Sequence, residues 1–257
     1  MGLADLHIHS IFSYDGTCSI SAILKYVADF TDLTTIAITD HDTVNGVQEA
    51  LDLAPAYGIG VVPGCEISTS DGHLLALFID RPVRAGLSLV QTVLRVGELG
   101  GICIAAHPMA RGTSSLSIET IRQALQFPQV ARILIGIEAF NGGLVYTHRN
   151  PMVAALAQTL PLSQIGNSDS HILQTIGQGA THFSGRTTGE LRRALETKST
   201  RVRKGEGLTG VSVLQAYIPR YLMRKLGWTV WNANRDAPMT YVRLSRLMIN
   251  CQPVLAN

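Results

Sequence analysis

The chain has 257 residues, of which 46% are hydrophobic and 16% are charged, and its formal net charge is +2. This length allows one domain of α/β-barrel size. No apolar run approaches the roughly 20 residues that a membrane-spanning helix needs, and the start MGLADLHIHS lacks the basic and apolar regions of a secretory signal. We therefore expect a cytoplasmic protein.

Short apolar segments alternate with segments of helical periodicity along most of the chain. Strands are predicted over residues 3–8, 35–39, 60–68, 73–79, 102–106, 133–139, 162–166 and 177–183, with the fourth as a hairpin on the third. Helices are predicted over residues 19–30, 44–57, 87–99, 118–125, 151–159 and 188–196. This alternation predicts an α/β fold with a parallel sheet, and about seven such units favour a small closed or nearly closed barrel.

The C-terminal part differs from the rest in charge and pattern. From residue 201 onward, nine Lys and Arg stand against two Asp and Glu, so this part carries +7 and the remainder carries −5. From about residue 205 the alternation stops, and both tryptophans, Trp228 and Trp231, follow. We expect a barrel over residues 1–205 and a basic C-terminal extension over 206–257, with an amphipathic helix over 217–226.

Three interpretations of the basic extension remain open. It packs on the barrel as a structural cap, attracts a polyanion such as RNA, or lies on an anionic membrane surface through its tryptophans. The four cysteines, Cys18, Cys65, Cys103 and Cys251, form no CxxC pair. They are predicted to be buried free thiols in a reducing cytoplasm.

Polar residues, many of them of types that can bind metals, stand at the C-terminal ends of the predicted strands. They are His7 and His9, Asp40, His41 and Asp42, Glu66, His107, Glu138 and Asn141, and Asp169 and His171, while His73 begins the hairpin strand. In parallel barrels, the loops at that end of the strands build the active site. We expect six histidines to converge there with three acids: His7, His9, His41, His73, His107 and His171 with Asp15, Glu66 and Asp169.

These residue types favour metal chemistry. Imidazole and carboxylate ligands without thiolate suit Zn, Mn or Fe, and the spacing of two residues in the pairs 7/9 and 169/171 places both side chains on one face of a strand. Each motif alone has another interpretation: the HIH pair as polar surface, and TDHD or SDSH as a turn or helix cap. That alternative would have to hold at five strand ends at once, so we predict a metal site.

In order and spacing, these motifs resemble the PHP family, named for polymerase and histidinol phosphatase. The motifs are DLHIHSIFSYDG, AITDHDTV, VPGCEIS with GHLLALF, AAHPMARG, GIEAFN and GNSDSH. The resemblance covers about residues 3–205, and it includes the segments IGQGATHF and TTGELRRAL, which are typical of a PHP-associated C-terminal piece. It implies a distorted (β/α)7 barrel, similar to a TIM barrel, with a metal cluster at the C-terminal face.

The resemblance also implies a ligand set for two or three divalent ions, Mn, Zn or Fe. His7, His9, Glu66 and Asp169 would hold the first ion, Glu66 would bridge to a second held by His73 and His107, and Asp15, His41 and His171 would hold a third or act as acid/base and phosphate-binding groups. Asp15 stands where some relatives carry a histidine, and Tyr14 replaces the small serine common before it.

The implied activity is metal-dependent hydrolysis of phosphate esters, in which a hydroxide bridging the ions attacks phosphorus. Arg111 is expected to hold a phosphate oxygen, or it is a solvated loop charge. Asp40 orients a ligand or caps a helix, and His171 or Asp15 would protonate the leaving group.

Nucleotides or oligonucleotide ends are the expected substrates, as in a nucleotidase or a 5′–3′ exoribonuclease. A histidinol-phosphate phosphatase is the alternative enzyme. A non-catalytic PHP scaffold or nucleic-acid-binding module is the alternative of another class.

Overall fold

The computed structural model describes residues 1–110, 115–144, 146, 148–205, 207–226, 239–244 and 248–253. The strands are β1 (Gly2–Asp5), β2 (Thr35–Ile38), β3 (Gly60–Thr69), β4 (Gly72–Leu77), β5 (Ile102–Ala105), β6 (Leu134–Asn141), β7 (Ser163–Asn167), β8 (Gly179–Phe183), β9 (Arg201–Lys204), β10 (Met239–Leu244) and β11 (Met248–Pro253). The helices are α1 (Ile20–Phe30), α2 (Val47–Tyr57), α3 (Leu89–Glu98), α4 (Ile118–Ala124), α5 (Pro128–Ala131), α6 (Asn150–Ala157), α7 (Thr188–Glu196) and α8 (Gly210–Lys225). Trp228 and Trp231 lie outside the described residues.

Nine strands form one sheet in the order β7-β6-β5-β4-β3-β2-β1-β8-β9, and β10 and β11 form a separate antiparallel hairpin. β1, β2 and β3 run parallel, and so do β5, β6 and β7. β4 is antiparallel to both of its neighbours, and β8 is antiparallel to β1 and β9. The sheet is therefore mixed rather than wholly parallel, because the tight β3–β4 turn is too short for the crossover that a parallel pair requires.

The two ends of the sheet meet, so the predicted barrel is nearly closed. The Thr181 hydroxyl of β8 accepts a hydrogen bond from Gly166 N of β7 at 3.1 Å and donates to Gly166 O at 2.8 Å. Beyond these strands, Ser170 N donates to His7 O at 3.2 Å, and His9 N donates to Ser170 O at 2.8 Å. This pairing brings the segments after β1 and after β7 together at one mouth of the barrel.

Side chains alternate along the strands between the barrel interior and the surrounding helices. In β4, Leu75 and Leu77 belong to the interior cluster, whereas Leu74 and Ala76 belong to the cluster under α3, α4 and α5. A second outer cluster lies under α1 and α2. Because Glu66 follows Val62 and Gly64 by steps of two, it continues the inward register of β3 into the barrel mouth.

Helix α7 closes the opposite mouth. Its Leu191 and Leu195 are buried in the interior cluster, and Arg192 Nη2 donates to Gly100 O at 2.9 Å, just before β5 begins. A capping box of Thr187 and Glu190 fixes the start of this helix. The barrel is thus covered at the end where the strands begin and keeps its polar mouth where they end.

Several predicted boundaries shift in the structure. β1 ends at Asp5 rather than at residue 8, although Ile8 still makes an isolated bridge with Ser170. β9 was not predicted, because its sequence RVRK carries three cations and no buried side chain, so it lacks the apolar signal of a strand. α8 begins at Gly210 instead of residue 217.

Helix α8 of the basic extension lies at the open mouth. The Tyr217 hydroxyl donates to Asp15 O at 3.3 Å, and Arg224 Nη1 donates to Gly16 O. None of the residues of α8 is buried. Of the three interpretations of the extension, these contacts favour packing on the barrel for residues 210–225.

None of the described helices has the length and hydropathy needed to cross a bilayer. Cys18, Cys65 and Cys103 are buried and take part in no disulfide within the described residues, as predicted for these three thiols. Burial raises the pKa of the Cys103 thiol well above its usual value, so this sulfur remains protonated. Cys251 lies in β11, whose side chains are not described.

Candidate metal centre

The open mouth of the barrel brings together all nine residues that the sequence predicts as ligands. Four groups have ligand atoms within 4.8 Å of one another: His9, Asp15, His41 and His171; His7, His9 and Glu66; His7, His107 and Asp169; and His41, Glu66 and His73. The groups share members, so the nine side chains form one continuous cluster.

Glu66 lies at the centre of this cluster and is 1% exposed. Its Oε2 lies 3.1 Å from His7 Nε2 and 3.3 Å from His9 Nε2. Its Oε1 lies 2.8 Å from His73 Nδ1 and 2.9 Å from His107 Nε2. Oε2 also lies 3.2 Å from His41 Nδ1. The two oxygens therefore face two different sets of imidazoles, as they would in a carboxylate that bridges two cations.

The β3–β4 hairpin explains why Glu66 meets His73. Glu66 pairs with Leu75 across the two strands, and Ser68 pairs with His73. Glu66 and His73 are consequently diagonal neighbours on the inward face, a position from which long side chains reach each other. The turn between the two strands thus builds one half of the cluster locally.

Asp169 reaches the cluster from the segment after β7. Its Oδ1 lies 3.4 Å from His7 Nε2 and 3.3 Å from His9 Nε2, on the same two nitrogens that face Glu66 Oε2. Asp169 has a positive φ of 53°, a left-handed conformation that Asp tolerates better than most residues. Two carboxylates and two imidazoles therefore surround one point.

Asp15 organises the outer part of the cluster. Its Oδ2 lies 3.3 Å from His41 Nε2 and 3.0 Å from His171 Nε2. The Ser13 hydroxyl donates to Asp15 Oδ1 at 2.7 Å, which orients the carboxylate. The Tyr14 ring stacks on His41 with the ring centroids 4.7 Å apart, so the tyrosine that replaces a serine at this position covers an imidazole of the cluster.

Opposite charges control ionisation in this buried site. Burial alone would raise the pKa of Glu66, but the imidazoles of His7 and His41 hold it well below its usual range. In the same way, His171 and His41 outweigh burial and hold the pKa of Asp15 low. Burial would lower the pKa of His9, but the nearby carboxylates of Asp169 and Glu66 raise it to about 10. The acids and imidazoles of the cluster thus stabilise each other's charged forms.

Two buried nitrogens indicate where cations fit. His9 Nε2 and His41 Nδ1 have no hydrogen-bond partner among the described residues, although they lie 3.3 Å and 3.2 Å from Glu66 Oε2. Neighbouring ligands of an ion bound at about 2.1 Å are roughly 3.0–3.4 Å apart. The donor set of imidazole and carboxylate suits Zn, Mn or Fe, so the residues present fit a divalent ion.

Glu138 positions the ligands without facing the centre of the cluster, and the sequence pattern alone assigns it no role. Its Oε1 lies 2.9 Å from His7 Nδ1 and accepts from Asn167 Nδ2 at 2.7 Å. Its Oε2 accepts from His107 N at 2.6 Å and from Asn141 Nδ2 at 3.0 Å. A proton on His7 Nδ1 leaves Nε2 free for a metal, as in carboxylate–histidine–metal arrangements. The GIEAFN motif, which contains Glu138 near the end of a predicted strand, was the sequence signal that could have identified it.

Asp40 supports the site through the backbone. Its carboxylate accepts from Ser10 N at 2.6 Å and from Ser10 Oγ at 2.7 Å, directly after His9 in the chain. It contacts the loop next to a predicted ligand and is not the N-cap of α2, which is Gly46. The helix-cap alternative for Asp40 is therefore wrong. Asp42 likewise accepts from a backbone amide, Ser68 N, at 2.7 Å.

Arg111, predicted to hold a phosphate oxygen, lies outside the described residues. Another arginine, Arg149, lines a small cavity of about 10 Å³ together with His107, Glu138 and Tyr146. Arg149 Nε is buried and has no hydrogen-bond partner in the described part of the chain. The Tyr146 ring stacks on His107 at 4.5 Å. Sequence reasoning missed both residues, because no motif contains them.

Comparison with known proteins identifies the family. The PHP domain model matches residues 5–204, so the chain belongs to the PHP domain family. Uncharacterized protein MJ1587 of Methanocaldococcus jannaschii is 37% identical over 164 residues, which are 60% of this chain and 88% of the relative.

Two relatives with named activities match over shorter segments. A phosphoribosyl 1,2-cyclic phosphate 1,2-diphosphodiesterase of Eggerthella lenta is 32% identical over 98 residues, which are 36% of this chain and 37% of the relative. A 5′-3′ exoribonuclease of Haemophilus influenzae is 36% identical over 97 residues, which are 35% of each chain.

Solved structures show the same fold. A two-domain protein of Bacteroides vulgatus that contains a predicted PHP-like metal-dependent phosphoesterase has a TM-score of 0.64 at 21% identity, over 86% of this chain and 68% of that chain. An amidohydrolase of Chromobacterium violaceum has a TM-score of 0.56 at 20% identity, over 78% and 97% of the two chains. The predicted barrel of the PHP type is thereby confirmed.

Proposed function

We propose that this protein is a metal-dependent phosphoesterase that hydrolyses phosphate esters of nucleotides or of oligonucleotide ends. The observation that carries the proposal is the position of Glu66, whose two oxygens face two separate sets of imidazoles. This arrangement suits two neighbouring divalent ions, which phosphoryl-transfer enzymes use as a clamp. The E. lenta and H. influenzae relatives, which are named as a diphosphodiesterase and an exoribonuclease, support cleavage of a phosphate ester bond.

The proposed ligand assignment is the one that the PHP resemblance implies, and the short distances to Glu66 and Asp15 support it. His7, His9, Glu66 and Asp169 would hold one ion, Glu66, His73 and His107 a second, and Asp15, His41 and His171 a third. When bound, such ions polarise phosphoryl oxygens and lower the pKa of water. The ion identities proposed from the donor types are Mn, Zn or Fe.

The chain itself supplies proton transfer at the rim. His171 is partly exposed, with 24% of its side chain accessible, and its Nε2 lies 3.0 Å from Asp15 Oδ2. Where no third ion is bound, His171 would instead donate a proton to the leaving-group oxygen. His41 Nε2 lies 3.3 Å from the same Asp15 oxygen, so it helps to orient this carboxylate. Arg111 stays proposed as a contact to a phosphate oxygen.

Activity measurements on the full chain test this proposal. We expect hydrolysis, with added Mn, Fe or Zn, of at least one substrate from a panel of nucleoside 5′-phosphates, 3′,5′-bisphosphates, oligoribonucleotides and histidinol phosphate. His9→Ala and Asp169→Ala should each abolish it, because each removes a proposed ligand of the first ion. His148→Ala is the matched control, since His148 is exposed and outside the cluster.

Two results would contradict the proposal. Full activity in either ligand variant would show that the cluster is not the catalytic site. Wild-type protein without bound metal and without hydrolysis of any substrate would instead favour a non-catalytic scaffold. A cytoplasmic location is also proposed, supported by the three described cysteines, which are buried and form no disulfide.

A further inference from the structure

A cavity of about 280 Å³ opens directly beside the metal-binding cluster. On one side it is bounded by Asp169 and His171 of the cluster. Leu208, Val213, Leu214 and Tyr217 of the C-terminal extension form another side. The remaining apolar lining comes from the barrel, through Phe140, Leu144, Tyr146 and Ile172. The cavity therefore combines the rim of a phosphate-handling site with a largely apolar wall.

Tyr217 connects α8 to the cluster. Its ring meets the His171 ring edge-on, with the centroids 6.2 Å apart and an angle of 89° between the planes. Its hydroxyl donates to Asp15 O at 3.3 Å. On the side away from His171, the ring stacks on Tyr221 with the centroids 5.5 Å apart. Tyr217 is consequently held from two sides, and its ring borders the cavity next to the proposed acid.

Backbone geometry keeps the space between barrel and helix open. Gly205 passes so close to β8 that a Cβ atom there would lie 2.7 Å from Gln178 O. Gly207 has a φ of 73°, a left-handed conformation that suits glycine. Its amide donates to Gln178 Oε1 at 3.0 Å. These contacts set the path from β9 to α8 and fix the wall of the cavity.

Size and charge limit what the cavity can hold. Pockets that bury whole drug-sized ligands measure roughly 300–1,000 Å³, so a cavity of about 280 Å³ suits a single flat group. None of the described lining residues is Lys or Arg, and a strand of phosphates would require such cations. Tyr217 and Phe140 offer aromatic surface, which favours an aromatic partner.

The PHP domain model ends at residue 204, whereas α8 begins at Gly210. The family match therefore does not extend to the side of the cavity formed by Leu208, Val213, Leu214 and Tyr217. An element outside the matched domain borders the mouth of the barrel, so it can control which leaving groups fit there.

We propose that this cavity binds one flat aromatic group on the leaving alcohol of the substrate, such as an aryl ring or a nucleobase, and that Val213, Leu214 and Tyr217 determine this selectivity. The proposal rests on the proposed phosphoesterase function, because it places the phosphate at the cluster and the leaving group beyond His171. It narrows the substrate class to aryl or nucleoside phosphates over small alkyl phosphates.

Binding of two phosphonates tests the cavity without hydrolysis. Benzylphosphonate and ethylphosphonate contain no ester bond to cleave and differ in the ring. Their affinities for the Mn-loaded full chain would be measured by calorimetry. We expect benzylphosphonate to bind about tenfold more tightly, as expected from removing roughly 60 Å² of apolar surface from water.

Two pairs of variants separate the cavity from general effects on the helix. Val213→Trp and Leu214→Trp fill the cavity and should reduce the benzyl-to-ethyl affinity ratio about tenfold, to near one. Val211→Trp and Leu222→Trp make the same changes on the outer face of α8, where the wild-type side chains are 65% and 55% exposed. They should keep the wild-type ratio. Thermal unfolding checks that each variant folds. If Val213→Trp does not fold, Leu214→Trp still tests the cavity, because the Leu214 side chain is partly exposed and a larger residue is tolerated more easily there.

The outcomes distinguish this proposal from the proposed function. A benzyl-to-ethyl ratio near one in the wild type, or a ratio that the cavity variants leave unchanged, would overturn the cavity proposal. Undetectable binding of benzylphosphonate to the Mn-loaded protein would do the same. Selective binding without hydrolysis of any phosphate ester would support the cavity and overturn only the phosphoesterase activity.

Discussion

Glu66 and Glu138 are both buried carboxylates, but their neighbours give them different tasks. Glu66 faces imidazole nitrogens on both oxygens, so it is suited to hold cations. Glu138 faces hydrogen-bond donors, among them His107 N at 2.6 Å and Asn167 Nδ2 at 2.7 Å. A group surrounded by donors orients its neighbours, and here it fixes the His7 ring at 2.9 Å.

Glu138→Gln should weaken metal binding about 10–100-fold, the effect typical of residues that orient metal ligands. A glutamine would place its amide nitrogen, a hydrogen-bond donor, opposite at least one of the donor groups that now bond to the Glu138 carboxylate. Two donors that face each other cannot form that bond. Competition with a chelator measures the affinity. Glu98→Gln is the control, because Glu98 pairs with Arg95 on the surface and is 61% exposed. Equal affinities in the two variants would contradict the positioning role.

At the level of elements, helix caps and hairpins determine where the site residues lie. The β3–β4 hairpin builds the contact of Glu66 with His73. Helix α7 closes the other mouth, and the Glu190 carboxylate accepts bonds from Arg186 N at 2.9 Å and Thr187 N at 3.0 Å. These two bonds, with a third from the Thr187 hydroxyl, lower the pKa of Glu190 to about 2.

Because the folded-state pKa of Glu190 lies below its unfolded value of 4.5, its contribution to stability is present above pH 4.5 and is lost as the pH falls toward 2. The stability difference between wild type and Glu190→Ala should therefore be largest near neutrality and shrink on acidification. Thermal unfolding from pH 7 downward measures it.

Two further variants calibrate the cap. Thr187→Ala should cost about 1 kcal/mol, as the loss of an N-cap side chain usually does. Glu196→Ala removes an acid from the last turn of the same helix, where it pairs with Arg192, and should leave the pH dependence unchanged. A pH-independent loss in Glu190→Ala would contradict the assigned carboxylate role.

At the scale of the whole molecule, the barrel holds the apolar core, and the extension adds a wall to its mouth. Every buried apolar residue that the structure describes lies at or before Leu195. In contrast, no residue of α8 is buried, and hydrogen bonds from Tyr217 and Arg224 connect this helix to the barrel. We propose on this basis that residues 1–205 fold as the barrel and that 206–257 act on substrate selection.

A chain that ends at Leu208 should remain folded and bind Mn, because the hydrophobic clusters are complete without α8. Two lost hydrogen bonds amount to about 1–3 kcal/mol, which lowers Tm by less than roughly 12 °C. Preference for benzylphosphonate over ethylphosphonate should disappear with the wall. An unfolded or metal-free truncated protein would show that the extension is instead required for the barrel.

The sequence by itself determined which histidines and acids gather in the cluster and the type of barrel. Strand periodicity placed His7, Glu66 and Asp169 at the C-terminal ends of strands, and those ends meet at one mouth in a barrel. The tertiary structure decided which oxygen of Glu66 faces which imidazole, how Glu138 orients His7, and that Tyr217 borders the mouth. These features depend on contacts between residues far apart in the chain, whose relative positions local propensity and periodicity do not determine.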